Sequence, residues 1–297
     1  MENERKNEDG LLHISLMGGQ ARAFLIHSTT LCETARKTHN LSRVATAALG
    51  RVLTATAMMS EQLKDERQSL TCIVKGDGPI GKILTVGHSD GSVKGYVDNP
   101  DVDLPRNGKK LPVGDAVGKE GTLAVIKDLN MKQPYVGQVN LVSGEIAEDF
   151  AMYFTASEQT PSLVSLGVLT DDHVVAAGGL IVQMMPGASE AAIQSVEMST
   201  GMFENISQTM LDYGLQGSVG QLLMHLEPEI LSEITPRYHC DCSRERVERA
   251  LISLGSEEIS DIIAEQGGCE VECQFCEKKQ AFDKQELMDL VAQLEEK

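Results

Sequence analysis

Cys240-Asp-Cys242 and Cys273-Gln-Phe-Cys276 are the segments of this sequence best suited to chemistry, and together with Cys269 they put five of seven cysteines in the last fifth of a 297-residue chain. A C-x-x-C turn presents two thiolates to one tetrahedral ion, and a second close pair completes a zinc site with bonds of about 2.3 Å. C-x-C is tighter than the usual zinc knuckle. A disulfide across so short a span is strained and easily reduced again, which suits a reversible switch. Ligated thiolates are nucleophilic toward peroxide or hypochlorous acid, and once oxidised they no longer ligate, so oxidation is expected to eject the metal. Structural zinc contributes ~10–16 kcal/mol to the folding of small modules, whereas whole domains are stable by only about 5–15 kcal/mol. Loss of zinc should therefore unfold this end. The same spacing also fits a permanent zinc ribbon that never switches.

Other residues compete for these roles. Cys269 and His239 neighbour the proposed ligands and belong to ligand types that zinc accepts, or they are spectators, with Cys269 also an alternative disulfide partner. Cys32 and Cys72 stand alone and read as small buried apolar side chains. Gly76-Asp-Gly78-Pro-Ile-Gly81 matches the dinucleotide fingerprint literally, but a strand-like run follows where a helix N-terminus is needed, so a tight turn is expected and no nucleotide cofactor. Glu145, Glu148 and Asp149 could pair for acid–base work; among 44 acidic residues they read as a solvated helix end. No local motif surrounds a candidate serine nucleophile. An enzyme that exchanges disulfides through Cys273 and Cys276 is the rival reading, although that motif normally sits near a βαβ pattern at a helix start.

Elements of two kinds must position these residues. Short β-branched runs at 70–74, 82–86 and 92–97, the last two flanking Ser89-Asp90-Gly91, predict antiparallel strands with a hairpin. Residues 41–63 predict a helix with a Ser cap. From residue 187 the pattern changes: Ile193, Val196, Phe203, Ile206 and Met210 share a helical stripe, and Leu222, Leu223 and Leu226 predict a further helix. Gly201, Gly214 and Gly217 interrupt this region at about 1 kcal/mol each relative to Ala, which makes it one of the less stable parts. Met184, Met185, Met198, Met202, Met210 and Met224 enrich it, either as core or as an adaptable surface. Beyond Pro236, helices are predicted at 244–254 and 256–265, and a last one begins at Asp283, where Asp283 and Glu286 have capping-box spacing. The expected fold class is α+β: a mixed α/β core domain over 1–186, a metastable helical linker over 187–235, and a small zinc-binding domain over 236–297.

A net charge of −18 opposes binding to nucleic-acid phosphates and anionic lipid surfaces and keeps the chain dispersed. The start is charged where a secretory signal would be apolar, and no apolar run reaches the roughly 20 residues of a membrane span. The cytosol is the expected compartment, in which cysteines rest as thiols.

With these residues in view, the chain resembles the redox-regulated thirty-three-kilodalton chaperonin family, heat shock protein 33. The resemblance is carried by Cys240-x-Cys242 and Cys273-x-x-Cys276, and by Gly76–Gly81, Gly95-Tyr-Val-Asp-Asn-Pro100, Ser157-Glu-Gln159 and Gly178-Gly-Leu-Ile-Val-Gln183-Met-Met-Pro186 in the family's order. It implies a non-enzymatic, ATP-independent holdase of oxidative stress, inactive while reduced and zinc-loaded. It further implies that oxidation pairs Cys240 with Cys242 and Cys273 with Cys276, releases zinc, unfolds switch and linker, and lets the protein hold unfolding client proteins, commonly as a homodimer. Cys269 departs from the four-cysteine pattern and leaves the connectivity open.

Overall fold

Apolar residues alternate along Gly10–Leu16 (β1) and Ala21–His27 (β2) in a way that fills both faces of a sheet, because successive strand side chains point to opposite sides. The computed structural model describes residues 8–106, 108 and 110–295, and its contacts divide the chain between His239 and Cys240. The fold is mixed α+β. Two helices follow β2, Thr29–Thr38 (α1) and Arg43–Ser60 (α2). Ser42 caps α2 by accepting the Ala45 N–H at 3.1 Å, and the helix is buried along almost its whole length. Its Ala, Thr and Gly residues allow close approach from every side.

Strands Ser69–Lys75 (β3), Lys82–Gly87 (β4) and Ser92–Val97 (β5) match the predicted runs, with β4 and β5 paired as an antiparallel hairpin. The short helix Val113–Val117 (α3), strands Thr122–Asp128 (β6) and Tyr135–Asn140 (β7), helix Ala147–Ala156 (α4) and strands Ser162–Thr170 (β8) and Val174–Met184 (β9) complete the sequence to residue 184. The glycine-rich 76–81 segment is the turn between β3 and β4. Gly78 N–H donates to the Val117 carbonyl at 2.9 Å, and a Cβ at Gly76 or Gly78 would meet α3 carbonyl oxygens at 2.0 or 2.3 Å. Glycine is needed there for backbone-to-backbone packing.

Helices Glu190–Met198 (α5) and Ile206–Leu222 (α6), a 3₁₀ turn at Met224–Leu226, and strands Glu229–Ile234 (β10) and Arg237–Tyr238 (β11) carry the chain to the division. Residues 187–235 thus pack within the first unit, and they include a strand that helical periodicity did not reveal. The first sheet has the order β10-β1-β2-β9-β8 and the second β11-β5-β4-β3-β6-β7. Helix α2 lies between them, in contact with strands of both. The opposite face of the first sheet, with Leu12, Ile14, Leu16, Ala23, Leu25, Leu180 and Val182, is covered by Val196, Phe203, Ile206, Met210, Leu215, Leu222, Leu223 and Leu226. The predicted stripe therefore points inward, except Ile193, which is 38% exposed.

Beyond the division, Arg244–Ile252 (α7) and Ser256–Gln266 (α8) stand where helices were expected, and Gly267 ends α8 at a φ of 69°. A hairpin of Gly268–Glu272 (β12) and Lys279–Asp283 (β13) follows, then helix Lys284–Glu295 (α9). Asp283 and Glu286 form the reciprocal capping box, each accepting the other's N–H at 2.9 and 3.0 Å. Among the described residues of this unit, only Leu251, Ile259, Phe282, Leu287 and Leu290 form its buried centre.

One expectation is corrected. Asp149 is fully buried and accepts the backbone N–H groups of Val142, Ser143, Gly144 and Ile146 at 2.7 to 3.4 Å. It folds the loop ahead of α4 around one carboxylate, which sequence patterning does not distinguish from a solvated acid. Asp149→Ala should leave those donors unpaired at a cost of about 4 kcal/mol, lowering the melting temperature of the first unit by roughly 10 °C. Thermal unfolding of this variant against Glu148→Ala, at an exposed position, checks it; equal shifts would remove Asp149 from that role.

Candidate metal centre

Two different local devices bring the cysteines together. Cys240 and Cys242 lie on the irregular stretch ahead of α7, and residues two apart on such a stretch can point their side chains to one side. Ser243 then caps α7 by accepting the Arg246 N–H at 3.3 Å, while Arg246 pairs with Asp241 between the two cysteines. Cys273 and Cys276 occupy the turn of the β12–β13 hairpin. There Cys276 N–H and Glu277 N–H both donate to the Cys273 carbonyl, at 3.2 and 2.7 Å, and Glu277 takes a φ of 57° to complete the turn. This C-x-x-C sits on a hairpin, not at a helix N-terminus.

All four Sγ atoms fall within 4.8 Å of one another. Cys240 and Cys273 are 3.7 Å apart and Cys242 and Cys276 3.2 Å. Tetrahedral coordination with bonds of about 2.3 Å requires sulfurs roughly 3.8 Å apart, so the spacing fits an ion held between the two pairs. Four sulfurs form a soft, closed donor set of the kind that selects zinc.

Burial and hydrogen bonding shift the sulfurs in different directions. Burial raises the Cys240 thiol above the usual range and pushes Cys242 up to about 11. Cys273 is shifted the other way: burial raises it, but the Phe275 N–H and hydrogen bonds from Cys276, Cys240 and Cys242 together outweigh that. Arg244 braces the arrangement. Its guanidinium donates to the Ala281 carbonyl at 3.2 Å and to Glu286 at 2.6 Å, and stacks on Phe282 at 4.2 Å. The start of α7 is thereby tied to the strand and helix that follow the second cysteine pair. No local motif marks this arginine in the sequence.

The remaining expected candidates lie elsewhere. Cys269 stands opposite Phe282 in the hairpin and packs with the small apolar cluster, where burial raises its thiol. His239 closes the first unit, its N–H donating to the Val93 carbonyl at 3.0 Å. The four-sulfur group contains neither. Cys32 and Cys72 are buried, and burial pushes each up to about 12, leaving them as inert thiols. No helix among the described residues is long and apolar enough to cross a membrane.

Comparison with known proteins agrees over nearly the full length. A family described as Hsp33 protein matches residues 9–283. The 33 kDa chaperonin of Alkaliphilus metalliredigens is 46% identical over 96% of this chain and 99% of its own. That of Clostridioides difficile is 44% identical over the same shares. The crystal structure of the 33 kDa chaperonin (heat shock protein 33 homolog) from Thermotoga maritima superposes with a TM-score of 0.89 at 34% identity, covering 98% of this chain and all of that one.

The geometry generates a metal-content prediction. Reduced protein should carry one zinc per chain, and serine at Cys240, Cys242, Cys273 or Cys276 should remove most of it, while Cys269→Ser keeps it. Metal analysis after gel filtration decides; full retention in Cys273→Ser with loss in Cys269→Ser would overturn the assignment.

Proposed function

The chain belongs to the Hsp33 protein family, and from that premise we propose that it is a redox-regulated, ATP-independent holdase whose reduced, zinc-bound form is inactive. The observation that carries the reading is the four-sulfur group in a unit with very little core of its own. Zinc, when bound at Cys240, Cys242, Cys273 and Cys276, holds the sulfurs as thiolates and joins the hairpin turn to the segment ahead of α7. Without that junction a unit this small has too little buried apolar surface to stay folded.

Oxidation acts on the sulfurs. Each pair gives up two electrons to an oxidant such as hydrogen peroxide, which leaves as water, and an S–S bond forms between sulfurs that then no longer ligate. Pairing of Cys240 with Cys242 and of Cys273 with Cys276 follows the family resemblance; the short sulfur contacts at 3.7 and 3.2 Å run between the motifs. The metal is released and the C-terminal unit unfolds. Residues 187–235, joined to that unit through 236–239, form the metastable linker of this reading. When they loosen, the apolar face of the first sheet around Leu12, Ile14, Leu25 and Val182 is opened to unfolding client proteins.

The protein is read as a binding protein without catalysis, cytoplasmic, dimeric in its oxidised form, with no nucleic-acid or membrane partner. A net charge of −18 supports the absence of nucleic-acid and anionic-membrane partners, since it disfavours phosphate surfaces, and it keeps an exposed sticky face dispersed.

Zinc release and suppression of client aggregation, followed in one sample during oxidation without ATP, should rise together, and reduced protein should do little. Because the stripe points inward, Ile206→Ser should weaken the cover by about 3 kcal/mol and give the reduced, zinc-loaded protein several-fold more holdase activity. Equal client protection by reduced and oxidised wild-type protein would sink the switch.

A further inference from the structure

The methionines of the region that covers the first sheet fall into two sets. Met198, Met224 and Met202 are 86%, 67% and 47% exposed, whereas Met210, on α6, is 0% exposed. Met210 fills the space that Gly178 leaves on β9: a Cβ there would lie 2.7 Å from Met210 Cγ. Ser218 Oγ lies 3.6 Å from the Met210 sulfur, yet its single hydrogen is already engaged by the Gly214 carbonyl at 2.6 Å. The pocket thus accepts a thioether closely and has little to offer an added oxygen.

We propose that Met210 is a second oxidation site that the first one unlocks, and that its sulfoxide holds the cover open after the cysteines are reduced. The inference rests on the opening described above. While the cover is closed, oxidants reach Met198, Met202 and Met224 but not Met210. Once α6 loosens, the Met210 thioether attacks hydrogen peroxide: an S–O bond forms, the O–O bond breaks, sulfur is oxidised by two electrons, and water leaves. Returning a sulfoxide to the Gly178 site buries a strong acceptor beside a hydroxyl whose hydrogen is already engaged, which shifts the closed–open equilibrium about tenfold or more toward open. Dithiols restore the cysteines but leave this oxygen in place. Closure then requires a methionine sulfoxide reductase, which supplies two electrons and two protons and releases water. The exposed methionines serve as an internal clock, since their reactivity does not depend on opening.

The test uses full-length, zinc-loaded protein and two oxidants: diamide, which converts thiols to disulfides and spares thioethers, and hydrogen peroxide. Peptide mass spectrometry follows sulfoxide at Met198 and Met210, and hydrogen exchange follows residues 206–222. In reduced protein, over the early interval before peroxide has released zinc, Met210 should oxidise roughly tenfold or more slowly than Met198; when peroxide follows diamide opening, the two rates should converge. After dithiothreitol and zinc, the diamide sample should regain protection. The peroxide sample should stay open in proportion to Met210 sulfoxide, and Met210→Leu, a volume-conserving change, should close fully despite Met198 sulfoxide. Recovery of protection with Met210 sulfoxide present, or equal residual opening in Met210→Leu, refutes the latch. Persistent protection under diamide refutes the opening itself, and with it the functional reading beneath.

Discussion

A sheet that is apolar on both faces has to be covered twice, and most of the first unit follows from that constraint. One cover is α2, shared with the second sheet and buried almost throughout. Its Ser42 cap is satisfied, and its small side chains let two sheets approach it. The other cover is the run from α5 to Leu226, built to a lower standard. Gly214 breaks α6 with a φ of 67° and ψ of −174°, and its neighbouring turns leave Met198, Met202 and Met224 in water. Burial of Phe203, Ile206 and Leu222 is what holds it, so its free energy is a small difference between packing gained and chain entropy lost.

The C-terminal unit obeys a different balance. Its centre of Leu251, Ile259, Phe282, Leu287 and Leu290 is too small to stabilise a fold of three helices and a hairpin by apolar burial alone. The sulfur group and Arg244 join parts that the core does not: the stretch before α7, the hairpin turn, and the start of α9. On the proposed reading, a metal held by these four oxidisable atoms supplies stability that a chemical signal can remove. Stability spread over a large apolar core, as around α2, is not open to the same signal.

Chain order gives the two balances a common sense. The second cover, β10, β11 and the first cysteine pair follow one another along the chain, so the paired strands β10 and β11 are the segments that link the cysteine pair to the cover. The stretch from 187 onward also carries Met198, Met202, Met210 and Met224, which places oxidisable sulfur of a second kind in the segment proposed as the metastable linker.

Much of this was legible in residue types and spacing. Cys240-x-Cys242 and Cys273-x-x-Cys276 declare themselves as a four-sulfur group because ligand chemistry demands close pairs, and the strands at 70–74, 82–86 and 92–97, the helix capped by Ser42 and the Asp283–Glu286 box are local patterns with local causes. Tertiary structure decided what depends on partners distant in sequence. It set Cys269 into an apolar cluster and left His239 on β5's carbonyl, where either residue type could have ligated. It buried Asp149 under four N–H groups, and made β10 a strand because β1 had an open edge to pair. It also turned the stripe of Phe203, Ile206 and Met210 inward. Periodicity tells that a face is apolar; only the sheet opposite determines what that face covers.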